Sequence, residues 1–272
     1  MAAGDGDIKV PGWRDMDLDV VSGKADVLAF DLDNTLALSK TRMDEAMARH
    51  FAALTHLRPV AIISGGRFLQ FRNQVLAALP EDTDRTQLHL MPTSGTRYYR
   101  WKGDDWDQVY AHDLSDEDRK AAATSLEKRA RELGDWEGET WGPRIEDRGS
   151  QITFSALGQE APVGAKEAWD PDNKRKDRLA AAVAADLPHL QVRSGGSTSV
   201  DISAKGIDKA YAVSTLAEIL GVQVDRILFV GDRMDPDGND YPAALAGTLA
   251  AKVDNPADTL ELIRTLEPRL AR

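Results

Sequence analysis

Apolar residues along this chain gather into short unbroken runs, and each run stops abruptly at small or acidic residues. Val27-Leu28-Ala29-Phe30 passes straight into Asp31-Leu32-Asp33-Asn34-Thr35-Leu36. Pro59-Val60-Ala61-Ile62-Ile63 ends in Ser64-Gly65-Gly66, and Ile227-Leu228-Phe229-Val230 ends in Gly231-Asp232. Runs of this length, apolar on both alternating faces, predict strands of a buried parallel sheet. Leu88-His89-Leu90-Met91 and Ala250-Ala251-Lys252-Val253 predict two more strands. Helical spacing fills the gaps. Met43, Ala46, Met47, Phe51 and Leu54 recur at that spacing across residues 42–56. Further helices are predicted over 68–79 (stopped by Pro80), 208–220 (closed by Gly221), 241–249 and 257–270. Residues 96–101 and 107–110 predict a hairpin around Lys102-Gly103-Asp104-Asp105.

The texture changes in the middle of the chain. Residues 115–133 predict a charged helix, with Ser115 followed by Asp118 as its N-terminal cap. Residues 145–157 and 190–202 show strand-like alternation on either side of a helix over 172–187. Helix, strands, helix, strands predicts an α+β layer with an antiparallel sheet. The expected organisation is a Rossmann-like parallel α/β core, residues 1–112 and 205–272, interrupted by an α+β cap over 113–204, with residues 1–12 a loose lead-in.

Composition narrows the function classes. A formal charge of −11 over 272 residues argues against a general nucleic-acid surface, which needs a basic face. With no cysteine there is no disulfide, zinc–thiolate or thiol chemistry, which fits a cytoplasmic protein. No apolar run approaches the roughly 18 residues of a membrane span, and residues 1–7 lack the basic start and apolar core of a signal peptide. The basic run Lys174-Arg175-Lys176 reads as a solvated helix face, and Trp136, Trp141 and Trp169 as packing residues.

Ligands of open α/β sheets lie at the carboxyl ends of the strands. Asp31 and Asp33 therefore stand at one edge, where two like charges need a shared proton or a cation to relieve them. Mg²⁺ suits such oxygen donors together with a substrate phosphate. Ser64, Asp232 and Lys209 end or begin neighbouring elements at the same edge. A carboxylate nucleophile, a second carboxyl for proton transfer, a hydroxyl and a lysine for the phosphoryl oxygens make up a phosphoryl-transfer set. Lys205, four residues earlier, is a rival for the lysine role.

Asp31-Leu32-Asp33-Asn34-Thr35-Leu36, Ser64 in Ile63-Ser64-Gly65-Gly66-Arg67, Lys209 in Gly206-Ile207-Asp208-Lys209, and Gly231-Asp232 with Gly238-Asn239-Asp240 resemble the four ordered motifs of the haloacid dehalogenase superfamily. The interruption between the second and third motifs resembles the Cof-type branch. Residues 231–240 and Gly195-Gly196-Ser197-Thr198-Ser199-Val200-Asp201-Ile202 are similar to eukaryotic-type phosphomannomutase within it. The resemblance implies an aspartyl-phosphate on Asp31, with Asp33 as general acid and then general base. Ser64 and Lys209 would hold the phosphoryl oxygens. Mg²⁺ would sit on Asp31, the Asp33 backbone carbonyl and Asp232, with Asp240 close by. It implies substrate contacts at Asn34, Gly65 and Asn239, and in the cap at Arg148, Gln159, Ser199 and Asp201. Arg148 reads equally as a surface ion-pair partner, and Asp235 and Asp237 as loop formers.

Two departures from the family pattern bear on the reaction. Asn34 stands where the first motif usually has glycine. The cap arginines that grip the distal phosphate in the mutase family are matched at Arg148, but the next falls on Gln159 and another near Lys166. A neutral amide in place of a bidentate guanidinium weakens that grip. The expectation is therefore a Mg²⁺-dependent phosphatase acting on a small phosphorylated metabolite such as a sugar phosphate. A phosphomannomutase-type phosphohexomutase is the alternative, and a non-catalytic phosphate-binding protein a weaker one. By analogy with the mutases, a homodimer would form through the cap.

Overall fold

The computed structural model of the chain describes residues 8–136, 138–195 and 197–272. Two compact units emerge: Met1–Ala111 with Asp208–Arg272, and His112–Ile207.

The first unit is built on a seven-stranded sheet. Its strands are β1 (Val27–Phe30), β2 (Val60–Ile63), β3 (Leu88–Met91), β4 (Arg97–Trp101), β5 (Trp106–Ala111), β10 (Ile227–Gly231) and β11 (Leu249–Lys252), in the spatial order β11-β10-β1-β2-β3-β4-β5. The five strands from β11 to β3 are parallel, and the β4–β5 hairpin adds antiparallel strands at one edge. Strand side chains alternate between two apolar layers. Leu28, Phe30, Val60, Ile62, Leu228 and Val230 pack with Met47, Phe51 and Leu54 of α2 (Glu45–Thr55) and with Leu262, Ile263 and Leu266 of α9 (Pro256–Leu270). Val27, Ala29, Ala61, Ile63, Ile227 and Phe229 pack the other face against Ala212, Val213 and Leu216 of α7 (Lys209–Leu220) and Ala243 and Ala244 of α8 (Tyr241–Leu245). Burial on both faces is why these strands read as unbroken apolar runs.

From β1 the chain steps one way to β2 and β3 and returns on the other side at β10 and β11, so the strand order reverses between β1 and β10. The carboxyl ends of adjacent strands at such a switch point form the natural crevice of this architecture. Asp31 follows β1, Asp232 follows β10, and the Asp31 N–H donates to the Val230 carbonyl at 2.9 Å.

In the second unit, β6 (Ile145–Asp147), β7 (Gln151–Ser155), β8 (Leu190–Ser194) and β9 (Ser199–Ala204) form an antiparallel sheet in the order β6-β7-β9-β8. Ile152, Phe154, Val200 and Ile202 pack against Ala122, Leu126 and Ala130 of α4 (Asp116–Leu133) and Leu179 and Val183 of α6 (Lys174–Asp186). Ser115 caps α4 by accepting from the Asp118 N–H.

Several boundaries depart from the sequence pattern. The helix expected over 68–79 is α-helical only at α3 (Phe68–Phe71) and continues as a π turn, Arg72–Leu76. The helix expected over 241–249 ends at Leu245, and Leu249 already belongs to β11. Two short helices carried no periodic signal: α1 (Leu18–Lys24), capped by Asp17, and α5 (Val163–Trp169). Of the expected loose lead-in, residues 1–7 lie outside the described residues. Residues 8–12 are tied down, because Ile8 N–H donates to the Tyr241 hydroxyl, Pro11 O accepts from Lys252 N–H, and Gly12 bridges to Lys252. Lys174-Arg175-Lys176 is not a uniformly solvated face: Arg175 binds the buried Asp135 at 2.6 Å, and Lys176 is itself buried.

Candidate active site

The site grows from the ends of β1, β2 and β10 and the start of α7. Lys209 is the first residue of α7, whose N-terminus Asp208 caps by accepting from the Ala210 and Tyr211 N–H groups. That cap fixes where the lysine stem enters the protein. The side chain is only 2% exposed, and its Nζ donates to Oδ1 of both Asp31 and Asp240. Asp240 is fully buried, and its second oxygen accepts from the Arg233 N–H at 2.9 Å. Gly231 leaves the room this requires, since a Cβ there would lie 2.5 Å from the Asp240 carboxyl carbon. Asp232 completes the group and is approached by the Thr35 hydroxyl at 3.4 Å.

Asp31, Asp232 and Asp240 each offer a carboxylate oxygen within 4.8 Å of the others. Three carboxylates against one lysine leave an excess of two negative charges in a mostly buried place. Burial pushes Asp31 up, Lys209 pulls it back, and Asp240 and Asp232 add to the rise. Asp232 is pushed up to about 6, by burial first and then by Asp240. Burial alone would lower Lys209, but Asp240 and Asp31 hold it well above its ordinary value. A site with this imbalance and these oxygen donors fits a hard divalent cation.

The Asp33 side chain does not join the three carboxylates. It is held by Gln70, whose Nε2 donates to Oδ2 at 2.9 Å, and by Gln74, whose Nε2 donates to Oδ1 at 3.2 Å. The Lys40 N–H adds a third donor at 3.0 Å. Asn34 takes the left-handed backbone, at φ 60°, that turns the chain away. Only the small polar residues and glycine adopt that region readily, so asparagine serves where glycine is usual. Ser64 is buried at the end of β2, and its Oγ accepts from the Gly66 N–H at 3.2 Å. Gly65 sits beside it, half-buried, and Asn239 is exposed in the loop before Asp240. Lys205 is exposed in the turn after β9.

Comparison with known proteins gives a consistent picture. The model of the eukaryotic phosphomannomutase family matches residues 140–267. A phosphomannomutase of Encephalitozoon cuniculi (strain GB-M1) is 25% identical over 221 residues, covering 79% of this chain and 82% of the relative. Among solved structures, the IMP-bound IMP-nucleotidase of Plasmodium falciparum superposes with a TM-score of 0.71 at 14% identity, covering 93% of this chain and 69% of that one. Trehalose-6-phosphate phosphatase of Aspergillus fumigatus superposes with a TM-score of 0.55 at 18% identity, covering 96% of this chain and all of that one. The chain is phosphomannomutase-like, with a haloacid dehalogenase fold.

The remaining candidates lie in the second unit. In that sheet Thr153 is paired with both Glu146 and Asp201, and Asp201 with Arg193, so these four share one face. Ser199, opposite Ser155, is on that face too. The Thr153 hydroxyl donates to Asp201 at 2.7 Å. Arg148 is paired with Glu146 at 2.7 Å. Gln159 Nε2 reaches the Arg144 carbonyl at 3.5 Å, and Lys166 Nζ donates to the Gln159 carbonyl at 3.2 Å. Trp136 stacks on Phe154 and Arg175 lies over Trp169, whereas Trp141 is exposed.

Sequence reasoning missed four residues: Thr35, Gln70, Gln74 and Arg233. Thr35 stands inside the first motif and carried a weak positional signal. The glutamines had none beyond following Ser64-Gly65-Gly66, and Arg233 contributes only its backbone.

Proposed function

We propose that this chain is a Mg²⁺-dependent phosphohydrolase of small phosphorylated metabolites, sugar phosphates foremost, with the second unit serving as the substrate-reading cap. The observation that carries the reading is buried Lys209 bridging Asp31 and Asp240, with Asp232 alongside. A buried, cation-paired carboxylate beside an acidic cluster is an activated nucleophile rather than a stabilising ion pair. Asp31 attacks phosphorus as the ester oxygen leaves, and Asp33 supplies the proton to that oxygen. Asp33 then takes a proton from water as water displaces the phosphoryl group, restoring the Asp31 carboxylate. Ser64 and Lys209 bind the phosphoryl oxygens. Asp31, Asp232, Asp240 and the Asp33 carbonyl would hold Mg²⁺, which offsets the charge of carboxylates and phosphate. The cysteine-free, acidic composition accords with a cytoplasmic setting.

The phosphomannomutase match over residues 140–267 favours a phosphohexomutase as second reading. Two features support hydrolysis instead: Gln159 offers an amide where that family has an arginine, and Arg148 is already committed to Glu146. Asn34, Gly65, Asn239, Ser199 and Asp201 are proposed to contact the substrate.

The test is phosphate release from a panel of sugar phosphates with Mg²⁺ or chelator, wild type beside Asp31→Asn. Metal-dependent release that vanishes in the variant is expected. Conversion of mannose 1-phosphate to the 6-phosphate with a bisphosphate activator, and no release, would instead establish the mutase.

A further inference from the structure

Gln70 and Gln74 contact neither the three carboxylates nor Lys209, yet both turn their amide N–H groups onto the two oxygens of Asp33. Three details argue that this arrangement is built. Gly66 makes room for it, because a Cβ there would fall 2.2 Å from Gln70 Oε1. Gln74 is buried, and among the described residues its Oε1 accepts no hydrogen bond. An amide buried with an unsatisfied oxygen is unfavourable for folding, so the site keeps it for its N–H groups. The π turn at Arg72–Leu76 is the third detail. It accompanies a Gln74 carbonyl that accepts the Met43 N–H at 2.7 Å, while Gln74 Nε2 also reaches the Leu38 carbonyl at 3.4 Å. Single π turns of this kind occur often at functional sites. One residue thereby ties Asp33 and both Leu38 and Met43 of the loop after it to the same helix.

We propose that Gln70 and Gln74 are positioning residues that clamp the Asp33 carboxyl, and the loop over residues 34–43, in the orientation needed for proton transfer. This rests on the phosphohydrolase reading, in which Asp33 protonates the leaving oxygen and then deprotonates the attacking water. Of the two reacting carboxyls the clamp touches only Asp33, so it should be felt where Asp33 acts and not where Asp31 attacks a substrate whose leaving group needs no proton.

The experiment uses p-nitrophenyl phosphate, a sugar phosphate, and hydrogen–deuterium exchange on wild type, Gln70→Leu, Gln70→Glu, Gln74→Leu and Asp31→Asn. For the clamp variants, steady-state kcat on the sugar phosphate is expected to fall about 10- to 100-fold, with KM within about twofold. With p-nitrophenyl phosphate, a burst of about one nitrophenolate per site should precede the slowed steady state, because only the water step then lags. Exchange at the Lys40 amide should quicken in the clamp variants and stay slow in Asp31→Asn. Gln70→Glu, equal in shape but set against Asp33 as a like charge, should be no faster than Gln70→Leu. Unchanged kcat, or burst and steady state lost together, would overturn the proposal. Should Gln74→Leu not fold, the two half-buried Gln70 variants decide. If wild type releases no phosphate the phosphohydrolase reading fails by itself, and exchange at Lys40 still decides the clamp: no change in the variants overturns it.

Discussion

A single lysine settles the electrostatics of the site, and the sequence alone offered two for the position. Lys205 and Lys209 are four residues apart, a spacing that one turn of helix makes equivalent. The helix starts later than Lys205, so Asp208 caps it and Lys209 becomes its first residue, turned inward onto Asp31 and Asp240. Lys209→Met keeps the stem and removes the charge, leaving buried carboxylates without their cation. Such a loss typically costs about 3–5 kcal/mol. Urea denaturation in chelator should show a drop of that order. Adding Asp240→Asn should recover part of it by removing one like charge, so the two changes are non-additive. A loss under about 1 kcal/mol, or strict additivity, would show that Lys209 does not neutralise the cluster. Asp31, Asp33, Ser64 and Asp232 were legible because each ends an apolar run. Gln70 and Gln74 were not, because an amide in a polar helical stretch resembles any solvated glutamine until the fold sets Asp33 opposite.

Elements with long patterned cores were readable, and elements decided by tertiary contacts were not. Strands β1, β2, β3 and β10 are buried on both faces, and apart from His89 in β3 their residues are the apolar or small ones that burial favours. The π turn after α3 keeps nearly the same apolar spacing as an α-helix, and the difference lies in the Met43 N–H that takes the Gln74 carbonyl. Helices α1 and α5, seven residues each, are too short for a 3.6-residue period to show. Strand pairing also creates a pH-sensitive element. In the β3–β4 pair, His89 stands opposite Arg100, buried, with its Nδ1 2.8 Å from the Tyr98 hydroxyl. Burial, with Arg100 adding to it, lowers His89 to about 3 from 6.5. The folded state therefore binds this proton less readily than the unfolded chain. Its contribution to stability is intact above pH 6.5 and is lost as pH falls from 6.5 towards 3, at up to about 1.4 kcal/mol per unit. Between pH 7 and pH 5, His89→Gln should lose about 2 kcal/mol less stability than wild type in urea denaturation. Parallel losses would show that His89 is not the group responsible.

At the scale of the molecule, a chain of net charge −11 collects three carboxylates at one sheet edge and supplies one lysine to them. The switch point between β1 and β10 sets Asp31 beside Asp232, because parallel neighbours place their carboxyl-terminal residues side by side, and the start of α8 adds Asp240. Stability and the proposed chemistry therefore pull in opposite directions here. The first unit should fold with strain in this cluster that a divalent cation relieves, since an ion that binds only the folded state stabilises it by mass action. At about 100 times its dissociation constant that amounts to about 2.7 kcal/mol. At roughly 2–4 °C per kcal/mol for a unit of this size, Mg²⁺ should raise the melting midpoint by about 5–10 °C. Sodium chloride at matched ionic strength screens the net charge but does not fill the cluster, so its effect should be much smaller. Asp232→Asn removes one donor and one of the two excess charges. Its melting point without metal should equal or exceed that of wild type, and its response to Mg²⁺ should shrink to that of the salt control. Equal shifts from Mg²⁺ and sodium chloride in wild type would mean that the ion acts on net charge alone. The three carboxylates would then have to be read as a cluster neutralised by protons rather than by metal.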